Sequence, residues 1–233
     1  MRRFFMLLLL PLVACQSQNL QDANSTTKPG DTPSSLSIPR SGETEGKVYV
    51  LDAAKSTIDI IVRRAGPLAR LGHDHVIIAR ELQGYFLRAP TLADARAEIR
   101  FAVSDLEVDP PAARKRHNLS TDPDADDIAA TRRNMLEKVL DAGQWPYITA
   151  RISDLAPAGD RYSGELSLQI HGKVTKGRES FEWEIESGVA TVRGTMHMKQ
   201  TEVGLEPFSA LAGALRVADE LEIHFELTGS ERP

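Results

Sequence analysis

The chain of 233 residues has a single cysteine, Cys15, only two tryptophans, and no surplus of positive charge. One cysteine rules out an intramolecular disulfide. A formal charge of −5 leaves no basic face to displace the counterions of a nucleic acid, so nucleic-acid binding is excluded. No Gly-x-Ser-x-Gly elbow, P-loop or dinucleotide fingerprint occurs, so nothing argues for catalysis and no cofactor is expected. The acidic cluster Asp122 to Asp127 fails as a calcium loop, because Asp127 stands where glycine is needed and Arg133 where a bidentate glutamate is needed.

What is present begins with an address. Arg2 and Arg3 precede the apolar run Phe4 to Ala14, which is shorter than the about 20 residues of a membrane-crossing helix. Leu12-Val13-Ala14-Cys15 resembles a bacterial lipobox, which implies a signal peptide over 1–14 and a lipidated Cys15. Cleavage there would remove two arginines and no acid, taking the formal charge from −5 to −7. Gln16 after the cysteine, by the same resemblance, directs the anchor to the periplasmic face of the outer membrane. Residues 15–46, rich in Ser, Thr, Asn, Gln, Pro and Gly, read as a flexible tether, and 47–233 as one domain.

That domain is written in β periodicity. In Tyr162 to Thr175 (YSGELSLQIHGKVT), Leu166, Leu168 and Ile170 fall on one side, while Glu165, Ser167, Gln169 and His171 fall on the other. Ser56 to Arg63 places Ile58, Ile60 and Val62 inward and Thr57, Asp59 and Arg63 outward. Similar runs cover Glu81 to Arg88, Ala97 to Val103, Tyr147 to Ser153, Glu179 to Glu186, Val189 to Gln200 and Leu221 to Leu227. Ile128 to Leu140 is the convincing helix, with Met135, Leu136, Val139 and Leu140 as its apolar stripe. Ser104 to Asp127 reads as a long loop and Phe208 to Leu215 as a short helical piece. Many antiparallel strands with one greasy face must stack or close, and closure of about eight leaves no exposed edge. The expected fold is an all-β antiparallel barrel with one or two short helices, which the resemblance described next implies to be extended.

Three stretches carry a family resemblance: GELSLQIHGKVT (Gly164 to Thr175), MLEKVLDAGQWPYITARI (Met135 to Ile152), and the tail Met198 to Leu227 with its turn Gln200-Thr201-Glu202-Val203-Gly204. In this order they resemble the YceI-like, or polyisoprenoid-binding, family. The resemblance implies a lipocalin-like barrel whose elongated cavity holds an isoprenoid chain, such as a quinone tail, in exported bacterial proteins. The inward residues it makes candidates for ligand contact are Ile58, Ile60, Val62, Ile99, Phe101, Ile148, Leu166, Leu168, Ile170, Met196 and Phe225. Here Lys173 interrupts the usual turn, and Gly72-His73-Asp74-His75 carries two histidines where one is commoner.

Two other readings stay open. His73 and His75 at i and i+2 would share a face in extended backbone and could serve a metal- or haem-binding envelope protein, although a third ligand is not evident. His171, His197 and His224 fall on polar strand faces and read as solvated. Alternatively the barrel is filled and the chain is a tethered adaptor. The oligomeric state is open, a homodimer among the options.

Overall fold

The computed structural model describes residues 36–40 and 42–232. The leader, Cys15 and most of the tether therefore lie outside the described residues.

One antiparallel sheet holds β1 (Lys47–Leu51), β2 (Thr57–Ala65), β3 (His75–Ala79), β4 (Gln83–Arg88), β5 (Arg96–Ala102), β6 (Glu107–Val108), β7 (Tyr147–Ala158), β8 (Arg161–Ile170), β9 (Lys173–Glu186), β10 (Val189–Lys199), β11 (Ser209–Ala210) and β12 (Leu215–Glu231). Neighbours run β1-β4-β5-β7-β8-β9-β10-β12, and β12 returns to β1 through Tyr49↔Glu231 and Leu51↔Gly229. That is a closed barrel of eight positions. β2 continues β1 along the same edge of β12, β3 leads into β4 beside it, and β6 follows β5. Three wall strands are thus each broken in two, by the turn Ala53–Lys55, by Arg80 to Leu82, and by the turn Val103–Asp105. The first break is fixed by Asp52, whose side chain accepts from the Ala54 N–H at 3.1 Å.

Between β6 and β7 lie α1 (Pro111–Arg116) and α2 (Ala125–Asn134), the latter running on through one wide turn over Met135–Val139. The expected helix is present but starts at Ala125, because Asp124 caps it by accepting from the Asp127 N–H at 2.9 Å. Met135 and Leu140 are buried and Leu136 and Val139 pack on the same core, so the end of this helix adds to the barrel core. The expected loop thus contains α1, which sequence periodicity misses because only Ala113 of its six residues is buried. The expected helical piece at Phe208 to Leu215 is instead the short β11 with the tight turn Leu211–Gly213.

The packed chain also begins before Lys47. Within the stretch read as tether, Leu36 and Ile38 pack against Val48, Tyr85 and Leu87 on the outside of β1 and β4. Alternate apolar residues there cover a greasy patch that would otherwise face water.

The three family-like stretches meet at one end of the barrel. A Cβ on Gly172, whose φ is +70°, would lie 2.3 Å from the Trp145 ring. Only glycine meets both demands. Next to it, Lys173 Nζ donates to the Glu202 carbonyl at 3.1 Å, and its stem fills the space a side chain on Gly204 would need. The turn itself is tied to a bulge in β12, where Gln200 Nε2 donates to the Ala218 carbonyl and Thr201 Oγ1 to Asp219, at 2.8 and 2.7 Å. These stretches hold the barrel end together.

A candidate ligand cavity and the two seams of its wall

Eight strands of inward Ile, Leu, Val, Met and Phe do not fill the space they enclose. A cavity of ≈ 200 Å³ remains, and among the twenty-four described residues that line it only Arg96 and Glu179 are charged. Ile58, Ile60, Ile99, Phe101, Ile148, Leu166, Leu168, Ile170, Met196 and Phe225 all line it. Val62 does not: it is buried in the packed cluster that includes Met135, Leu140, Val203 and Leu205. Past Ile60 the inward face of β2 therefore passes from cavity wall to packed core, although Leu221, opposite Val62, still lines the cavity. Phe86, Leu155, Phe181, Trp183, Val192, Met198 and Leu227 also line the cavity and were outside the candidate set. Most carry the same alternation; Leu155 does not, because it sits at a bulge between Ser153 and Ala156.

Two polar groups in this wall have no partner among the described residues. Trp183 Nε1 is buried without a hydrogen bond. Glu179 has its carboxyl pushed above the usual range by burial alone, with no cation holding it down. Gly194 gives the Phe225 ring its place, since a Cβ there would stand 2.7 Å from it.

The wall has two seams. On the first, β6 pairs only with β3, and α1 and α2 lie over them. Asp59 and Asp109 staple this cover down. Asp59 faces out from β2 as expected, yet is only 2% exposed, because α1 covers it. It accepts from Thr57 Oγ1 at 2.5 Å, His117 Nε2 at 2.7 Å and Arg116 Nη2 at 2.6 Å. Asp109 accepts from His75 Nδ1 at 2.5 Å, the Val76 N–H at 3.0 Å and Arg114 Nη1 at 2.6 Å. Burial would raise both carboxyls, but these bonds overcome it and hold each below its ordinary value of 3.8. Beneath them Ile61, Val76, Ile78 and Ala113 form a small second core. The sequence signal for this cover was the run His75 to Ala79, buried at every position where a one-sided strand would alternate.

His73 and His75 are drawn to different partners. His75 is committed to Asp109, with Thr131 Oγ1 3.4 Å from its Nε2, while His73 lies 3.7 Å from Asp127. Thr131, His75 and Asp109 stand in the order of a proton relay. None of them lines the cavity, and Asp109 is occupied in joining β3 to α1. His224 lies on the outer face as expected, partly exposed, bonded to Glu222 at 2.7 Å with its ring 5.0 Å from that of His117.

On the second seam the strands part. The β9–β10 ladder ends at Arg193↔Glu182. From there residues 173–181 of β9 pair with β8 alone, and residues 194–199 of β10 with β12 alone. Arg193 closes the fork, reaching Glu182 at 2.7 Å and Glu184 at 3.0 Å. The Lys173 contact to the Glu202 carbonyl closes the far end. β9 begins six residues before the expected strand because its inward positions here, Thr175 and Gly177, are polar or small and carry no apolar alternation.

No protein-family model matches the chain, and no curated protein matches it in sequence. Solved structures do match. BcnA of Burkholderia cenocepacia is 19% identical with a TM-score of 0.57, covering 76% of this chain and 98% of its own. The YceI protein of Campylobacter jejuni is 8% identical with a TM-score of 0.50, covering 67% of this chain and 85% of its own. Identities this low bear on architecture alone, and that architecture is a closed eight-position antiparallel barrel: the chain has the fold of the YceI proteins.

Proposed function

We propose that this protein binds a long apolar molecule of the polyisoprenoid or quinone type inside its barrel, without catalysing a reaction. The observation that carries the reading is the unfilled apolar cavity, because a barrel selected only for stability would close over it. Burying hydrocarbon yields about 0.8 kcal/mol per CH₂, so ten methylene equivalents give a gross of roughly 8 kcal/mol before association costs. Shape and apolarity therefore suffice for retention. The likeness of fold to YceI proteins supports the same reading. With Cys15 as the acylated anchor, the chain would hold its ligand at the bacterial cell envelope for storage, transport or stress protection.

Native mass spectrometry of the full chain, purified without detergent, tests this. A discrete added mass that leaves on denaturation is expected. A clean ligand-free mass that persists after incubation with prenylquinones would overturn the reading.

A further inference from the structure

The split between β9 and β10 interrupts the hydrogen-bonded wall beside the cavity. Met196 and Met198 on the β10 edge and Glu179 on the β9 edge are all cavity-lining residues, so the unpaired edges border the interior directly. Two strand positions from Glu179, Gly177 has open space where its Cβ would be, the one neighbour within reach being Glu179 Oε1 at 4.0 Å. Among the described residues no other side chain comes within 4 Å of that point. At the outer lip, Lys176 and Arg178 are already matched to Glu165 and Asp154, at 2.7 and 3.2 Å. The charge left unmatched at the inner lip is the Glu179 carboxyl, and Arg96 is the other charged residue of the cavity.

We propose that the β9–β10 slot is a lateral portal through which an elongated apolar molecule enters the barrel, and in which its polar end comes to rest against Glu179. The ligand class is then narrowed, within the apolar chains proposed above, to a long-chain amphiphile ending in an amine or hydroxyl (an isoprenoid alcohol or a quinol in preference to a quinone), which can donate to the carboxyl, and not in a carboxylate, which Glu179 would repel. Burial raises the Glu179 pKa, so a donor placed against the carboxyl would stabilise its charged form. Flexible methionines on the facing edge suit a gate that must pass varied chains. The proposal rests on the reading of the cavity as a ligand chamber.

The test uses the full chain, N-phenyl-1-naphthylamine as fluorescent reporter, and dodecylamine, dodecanol and dodecanoate as competitors. Dodecylamine is expected to displace the reporter about tenfold better than dodecanoate, and Glu179→Gln to collapse that ratio toward one. Gly177→Phe, which fills the slot, is expected to slow reporter association by about tenfold, with Gly177→Ala near the parent rate. Equal displacement by amine and carboxylate, or a ratio unchanged in Glu179→Gln, overturns the role of Glu179. Parent-like association in Gly177→Phe overturns the portal. Either result leaves binding itself standing, whereas failure of the parent protein to bind the reporter or any competitor overturns both this proposal and the ligand chamber.

Discussion

The barrel faces the same difficulty at two places and resolves it in opposite ways. At β3–β6 an unpaired edge is covered by helices and fastened with two buried carboxylates. At β9–β10 two unpaired edges remain, and charged residues such as Lys173, Lys176, Arg178 and Lys199 border them. Cover makes a seam permanent, while charge only discourages a stray strand from pairing with it. A seam that must open to a ligand therefore belongs in the second class. Fixed charge networks belong in the first.

The sharpest way to break this contrast is Asp109→Ala. It would leave His75 and Arg114 facing each other under α1, and removing one partner of a buried ionic network costs about 3–5 kcal/mol. Urea unfolding should show that loss, with hydrogen exchange rising first over 110–134. A loss no larger than that of a surface mutation would mean that the staple is ornamental.

Acid should separate the seams next. Asp59 and Asp109 have folded pKa values below 3.8, so their contribution is fully present above that pH and disappears as pH falls through the folded values. Glu179 has the opposite sign: its folded value lies above 4.5, so its cost to the folded state appears as pH rises from 4.5 through that value. Helix loss on acidification, followed by circular dichroism while the tryptophans report the barrel, should therefore precede barrel loss. Simultaneous loss of both would contradict a cover held by its own charges.

A smaller effect is expected at the barrel end that both seams share. Gly172→Ala drives a Cβ into Trp145 at a left-handed backbone position and should cost about 1–3 kcal/mol. A thermal melt like the parent's would show that Trp145 moves aside freely. Smallest of all is Glu179→Gln, which should leave stability near neutral pH unchanged or slightly higher, because it removes a carboxyl that burial disfavours. A clear drop in melting temperature would mean that Glu179 has a structural partner in the folded protein.

Alternation determined the sheet and its greasy face: Leu166, Leu168 and Ile170, repeated in kind along the chain, require a shared apolar interior, and the same residues fall on the cavity; strand count and the family resemblance chose a barrel over a sandwich. The helix was readable from Met135, Leu136, Val139 and Leu140. Tertiary structure decided what that code does not contain. Val62 shares a face with Ile60, but whether an inward side chain meets empty space or a helix end depends on chain arriving from 135–140. Asp59 is outward by pattern and buried in fact, because α1 is short and polar and announces no cover. Glu179 breaks the apolar alternation, and only the strand pairing places that break at a fork in the wall. Local periodicity records which face of a strand avoids water; pairing and coverage are long-range, and they decide what each face meets.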